Sequence, residues 1–82
     1  MAIGQYEKAA KDYMHFLKGH PTDGKVWSYL VEVLALAGNT KAALDAAQKG
    51  LSTGSHWSKR LMSLREKIIT GKPIISHTPF SN

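Results

Sequence analysis

The stretch Gly24-Lys25-Val26-Trp27-Ser28-Tyr29-Leu30-Val31-Glu32-Val33-Leu34-Ala35-Leu36-Ala37, closed by Gly38-Asn39, decides how this chain reads. Val26, Trp27, Leu30, Val31, Val33, Leu34 and Leu36 follow helical spacing, but they span a face broader than a single contact would use. That breadth is expected of a central helix, near 24–37, buried on two sides. Gly38-Asn39 ends it where a positive φ is easy. A helix of this kind needs neighbours, and the flanking sequence supplies them. Upstream, Tyr6, Ala9, Ala10, Tyr13, Phe16 and Leu17 recur at i, i+3, i+4 and i+7, with Glu7, Lys8, Lys11 and Asp12 on the other side. This spacing predicts an amphipathic helix near 5–18. Downstream, Thr40 reads as an N-cap, and Ala42, Ala43, Leu44, Ala46, Ala47 and Leu51 predict a helix near 40–53 whose alanines permit close approach. A fourth helix, near 55–70, starts behind Ser55 as N-cap, carries Trp57, Leu61, Leu64 and Ile68, and stops at Gly71 and Pro73. His20, Pro21 and Asp23 read as loop and capping residues. Ile74-Ile75 is too short to compete as a strand. The expected fold is all-α, four helices in antiparallel pairs.

The composition agrees. The chain has 82 residues, 43% of them hydrophobic and 21% charged, which is the balance of one small globular domain. No run approaches the roughly 18 apolar residues of a membrane span, and Met1-Ala2-Ile3-Gly4 has neither the basic nor the hydrophobic region of a signal peptide. The absence of cysteine removes disulfides, thiol catalysis and Cys-based zinc sites, and is compatible with cytoplasm and periplasm alike. The net charge of +5 admits acidic proteins, nucleic acid or a membrane surface as partners. The domain is expected over 1–70. Residues 71–82, with two prolines, form a mobile or loosely docked tail by default; Ile74, Ile75 and Phe80 offer the alternative of an extended strip on an apolar groove.

The chain also repeats. A shift of 34 residues superposes Gly4 on Gly38, Ala9 on Ala43, Leu17 on Leu51, Lys25 on Lys59, Leu30 on Leu64 and Glu32 on Glu66, and brings Trp27 onto Leu61 and Leu34 onto Ile68. The matches fall on turn glycines and core-facing positions. Trp27-x₂-Leu30-Val31-x₂-Leu34, then Ala43-x₃-Ala47, with Ala9-x₃-Tyr13 and Pro21 in the preceding copy, resembles the tetratricopeptide repeat. The resemblance covers about 4–70. It implies an α-solenoid fragment: a second-type helix at 4–18, a complete repeat at 24–53 and a first-type capping helix at 55–70, or one and a half repeats plus a cap. Val31 stands where the family prefers a small residue and Ala47 where it prefers a large aromatic, an exchange that can conserve volume. Arg65, related to Val31 by the period, would be costly beneath a following second-type helix; as a terminal helix, 55–70 would instead show solvent a polar face of Arg60, Arg65 and Lys67. The first helix lacks a first-type partner, so Tyr6, Tyr13 and Phe16 are expected to be covered on one side only. That leaves a longer parent repeat protein, another chain or the tail to complete the face.

Catalytic chemistry is not legible. His15, His20, His56 and His77 lie in different elements, no zinc-binding spacing and no phosphate-binding glycine loop occurs, and His15 beside Asp12 reads as a solvated helix pair. No enzyme, metal or cofactor is expected. The resemblance implies a non-catalytic protein-interaction module holding a peptide segment or partner domain in a groove lined by the first-type helices. That groove would present Lys25, Ser28, Tyr29, Glu32 and Leu36 from one helix and Lys59, Met62, Ser63 and Glu66 from the next. The first set also follows helical spacing as one stripe beside the Trp27–Leu30–Leu34 stripe, which an ordinary solvated face would do equally. One subclass of the family clamps carboxylate termini with Lys, Asn and Arg. Lys25 and Lys59 fit part of that pattern, but Ser28, Tyr29, Glu32 and Ser63 do not, and no clamp is expected. The partner is a protein or peptide, acidic if the lysines engage it. Lys59, Arg60, Arg65 and Lys67 stand against Glu66 alone near the end of the chain, so the alternative is a basic nucleic-acid-binding or self-association module that uses this helix. Trp27 and Trp57 read as packing residues before ligand-stacking ones.

Overall fold

A computed structural model describes residues 3–54, 56–72 and 74. Four helices follow one another: α1 (Ile3–Gly19), α2 (Gly24–Leu36), α3 (Thr40–Leu51) and α4 (Ser58–Thr70), with no strand among the described residues. The links are short and the chain reverses at each. Gly50, late in α3, approaches Trp27, early in α2, and the first half of α1 lies beside the end of α2, so α2 is antiparallel to both. α2 and α4 run the same way, their C-terminal residues Leu36 and Ile68 flanking one hollow.

α2 is the hub the sequence predicts. It packs against α1, α3 and α4; α3 and α4 also pack against each other, and α1 rests on α2 alone. Leu30, Val31 and Val33 of α2, Ala43 and Ala47 of α3, and Leu61 and Leu64 of α4 form the dry centre, with Ala10 and Leu17 of α1 reaching it from the other side. The remainder of the α1 face is covered in part: Tyr6, Ala9 and Tyr13 are half-buried against the core, whereas Phe16 is 41% exposed and stacks on His20 with ring centroids 4.4 Å apart.

The turns explain where helices begin and end. The Asp23 carboxylate accepts the Val26 N–H at 3.3 Å and caps α2, while the Trp27 indole N–H donates to the Pro21 carbonyl at 2.9 Å, so both flanks of the 20–23 link are pinned. At the far end Gly38 takes φ 83°, its N–H bonds the Ala35 carbonyl, and Asn39 N–H bonds the Leu34 carbonyl at 2.9 Å, the paired bonds of a Schellman stop. Gly71, at φ 72°, closes α4 the same way through Lys72 N–H and the Lys67 carbonyl at 2.8 Å.

Several helix ends differ from the sequence expectation by one to three residues, most at the α3–α4 junction. Thr40 is the first residue of α3 and Asn39 the cap position, with no side-chain capping bond; α3 ends at Leu51, two residues early, because the Ser52 and Thr53 hydroxyls donate back to the Lys49 and Gly50 carbonyls and close the turn. α4 starts at Ser58 behind Trp57; Ser55, expected as its cap, lies outside the described residues. At the tail, Ile74 is half-buried against the core beside Ala35, Leu36 and Thr40, and Ile75 and Phe80 lie outside the described residues.

Gly50 is the tightest point. A Cβ there would stand 2.8 Å from both Leu61 Cδ1 and Trp27 Cβ. Leucine can turn its methyl aside, but a Trp Cβ moves only with the α2 backbone. The helix-propensity gain of Gly50→Ala, about 1 kcal/mol, is therefore outweighed by overpacking of about 1–3 kcal/mol. The substitution is expected to lower the urea midpoint with an unchanged m-value.

Candidate functional site

The face shared by α2 and α4 gathers most of the polar residues singled out from sequence, but sorts them differently. Lys25, Lys59, Met62, Ser63 and Glu66 are exposed and Tyr29 is half-buried. Ser28 and Glu32 are each 1% exposed, which corrects their expected place on an open groove. The cause is packing: α4 on one side and Tyr13 of α1 on the other close over the stripe that helical spacing alone leaves open. Ser28 is satisfied locally, donating its hydroxyl to the Lys25 carbonyl at 2.6 Å. Glu32 accepts from the Arg60 guanidinium, an ion pair that ties α2 to α4 and has one side 1% exposed.

Arg60 is therefore turned inward, away from the solvated outer face expected for it. Of the other basic residues, Lys59 and Arg65 are exposed and Lys67 is half-buried, so the four cations do not form one uniform open patch. Buried ion pairs usually arise where both groups also find further bonds, since desolvation of each charge is costly. The sequence carries a signal for this one: Glu32 interrupts Leu30, Val31, Val33 and Leu34, the most apolar run of the chain.

Aromatic contacts extend the face toward α1. The rings of Tyr13 and Tyr29 lie 5.8 Å apart at 45°, and Lys25 Nζ stands 5.9 Å from the Tyr29 centroid, within cation–π range. Burial, followed by the neighbouring Tyr29, Glu32 and Asp12, pushes the Tyr13 phenol above its ordinary value of 10.0. Beyond the ion pair, His56, Trp57, Lys59, Arg60 and Ser63 line a shallow depression at the start of α4, where Trp57 is 37% exposed. The face thus presents aromatic edges and lysines beside the buried Ser28 and Glu32.

A second concavity has no counterpart in the sequence reading. α1 and α3 both pack on α2 without packing on each other, and a cleft of about 240 Å³ opens between them over Leu17, Trp27, Leu30 and Leu34, with Ala42 and Ala46 on one wall and Met14 at the mouth. Its floor consists of residues read from sequence as core, so only the missing α1–α3 contact reveals it. Among the described residues no cluster of three or more His, Asp or Glu could hold a metal ion, and no helix is long and apolar enough to cross a membrane. In comparisons with known proteins, no family model, no curated protein and no solved structure matches the chain.

Proposed function

We propose that this chain is a non-catalytic protein-interaction module of the tetratricopeptide kind, holding an acidic peptide segment or partner domain on the face shared by α2 and α4. The observation that carries this is the exposure of Lys25 and Lys59 on α2 and α4, which pack side by side and are tied by the Glu32–Arg60 pair, with Tyr29 beside Lys25 and Ser63 beside Lys59. A buried pair linking the two helices holds these side chains at a fixed spacing, which lowers the ordering cost of binding. Tyr29 offers rigid contact area with a polar tip, and the lysines steer and register carboxylates. The 34-residue register supports the repeat assignment, since it relates the sequence of α1 to that of α3 and the sequence of α2 to that of α4.

A peptide array followed by titration tests this. Acidic segments are expected to bind, and Lys59→Glu to weaken them by about tenfold or more, roughly 1.4 kcal/mol. Tyr29→Ala is expected to act similarly, with circular dichroism checking that loss of the Tyr13 contact leaves the helices intact. Binding that ignores both substitutions would displace the site from this face. Retention of nucleic acid with a steep inverse salt dependence and indifference to Tyr29→Ala would replace the peptide assignment by the basic alternative.

A further inference from the structure

The depression lined by His56, Trp57, Lys59, Arg60 and Ser63 has a volume of about 630 Å³, within the roughly 300–1,000 Å³ of ordinary ligand sites. Its lining holds cations and hydrogen-bond donors and no acid. Lys59 and Ser63 stand four residues apart on α4, so both side chains project from one face of the helix. His56 adds a ring N–H in either tautomer. Among the described residues the side chains of His56, Lys59 and Ser63 make no hydrogen bond or ion pair, so three donors line one depression without an internal acceptor. Arg60 differs, because Glu32 already engages its guanidinium and balances its charge. Glu66, the acid of α4, lines the next hollow with Met62, Ser63 and Lys67. The charge of Lys59 therefore faces the depression with no carboxylate in the lining to oppose it, and Trp57, 37% exposed, supplies an aromatic wall.

We propose that this depression takes the phosphotyrosine side chain of a peptide, its phosphate on Lys59, Ser63 and His56 and its phenyl ring against Trp57. The inference deepens the peptide reading and rests on it for the carrier of the group. A phosphate suits the lining better than a carboxylate does. It brings a charge of about −1.5 to −2 and three strong acceptor oxygens to the three donors, whereas a carboxylate brings one charge and two oxygens. The aromatic wall decides between phosphorylated residues. Phosphoserine carries its phosphate close to its own backbone and has no ring to cover Trp57. The tyrosine ring spans the distance between backbone and phosphate and offers the indole a face or an edge. Charge-assisted hydrogen bonds and an aromatic contact are then made by one side chain, which is what the lining provides for. Lys25 and Lys59 have separate tasks on this account: Lys25, beside Tyr29, meets carboxylates of the flanking peptide, and Lys59 meets the phosphate.

Phenyl phosphate, titrated into nitrogen-15-labelled protein and followed by NMR, tests the depression without any peptide. The two indole N–H signals form an internal control: Trp57 is expected to shift, and Trp27, which lines the cleft between α1 and α3, to stay. Phenol and inorganic phosphate, each carrying part of the group, are expected to shift Trp57 less at equal concentration. Lys59→Ala and Ser63→Ala, both at exposed positions, are expected to weaken the response, the amide spectrum showing that each variant is folded. An acidic segment with one tyrosine is then compared by fluorescence anisotropy with its phosphotyrosine, phosphoserine and glutamate versions. The phosphotyrosine version is expected to bind about tenfold or more tighter than the tyrosine one, the yield of one charge-assisted hydrogen bond. Lys59→Ala is expected to remove most of that gain, and Lys25→Ala to weaken all four versions while leaving the gain in place. No shift of Trp57, a shift of Trp27 in its place, equal affinity for phosphoserine and phosphotyrosine, or AMP matching phenyl phosphate would each overturn the inference. Acidic segments that bind with no preference for phosphate would overturn it while the module function stands. Phenyl phosphate bound at Trp57 with no acidic segment bound would leave the phosphate site standing and overturn the peptide reading.

Discussion

Leu30→Pro will abolish cooperative folding. Leu30 lies inside α2, 2% exposed, and α2 is the helix on which all others rest. Proline there removes an intrahelical bond and drives its ring into the preceding turn, costing about 3 kcal/mol or more. Loss of the buried leucine side chain adds a cavity cost of about 2–5 kcal/mol. A domain of this size has a total stability of roughly 5–10 kcal/mol, so the sum removes most or all of it. Far-UV circular dichroism and urea titration are expected to show low helicity and no transition. Ala43→Pro is the milder comparison: it deletes one bond near the start of α3, from Ala43 N–H to the Asn39 carbonyl, at a fully buried alanine. A folded Leu30→Pro chain would mean that α2 is not the centre of the core.

Arg60→Ala is expected to destabilise the fold by about 3 kcal/mol, the lower end of what breaking a buried ion pair costs. The lower end applies because the Arg60 side chain is 25% exposed and water can reach part of the vacated space, while Glu32, at 1%, stays in the interior. The lost partner leaves Glu32 poorer by a charge-assisted bond in a low-dielectric setting. Removing both charges with apolar residues of similar volume, Glu32→Met with Arg60→Met, should recover most of the loss, as buried pairs commonly contribute little net stability. Thermal melts of the single and double variants measure this. An Arg60→Ala variant as stable as the wild type would mean that the pair is solvated and the α2–α4 face is not held by it.

Much of this architecture is legible in the sequence because apolar spacing and turn chemistry agree. The breadth of the apolar face at 24–37 announces a hub, and Gly38-Asn39 and Gly71 announce left-handed stops that the backbone adopts at both glycines. α4 begins at Ser58 behind Trp57, three residues after the expected start, because serine is a good cap in isolation and spacing alone does not choose between candidate starts. The site is less legible. Helical spacing assigns a residue to a face but not that face to solvent, and it puts Ser28 and Glu32 on an open stripe that tertiary packing closes. Gly50 escapes a sequence reading for the same reason: helix propensity counts it as a cost, and only the approach of Trp27 and Leu61 gives it a purpose.

The dependence of α1 on a single neighbour has a consequence for how the chain opens. α2, α3 and α4 contact one another in a closed triangle, so detaching any one of them breaks two interfaces, whereas α1 detaches by breaking one. Its amides should therefore exchange through a partial opening cheaper than global unfolding, making 3–19 the lowest-lying cooperative unit of the fold.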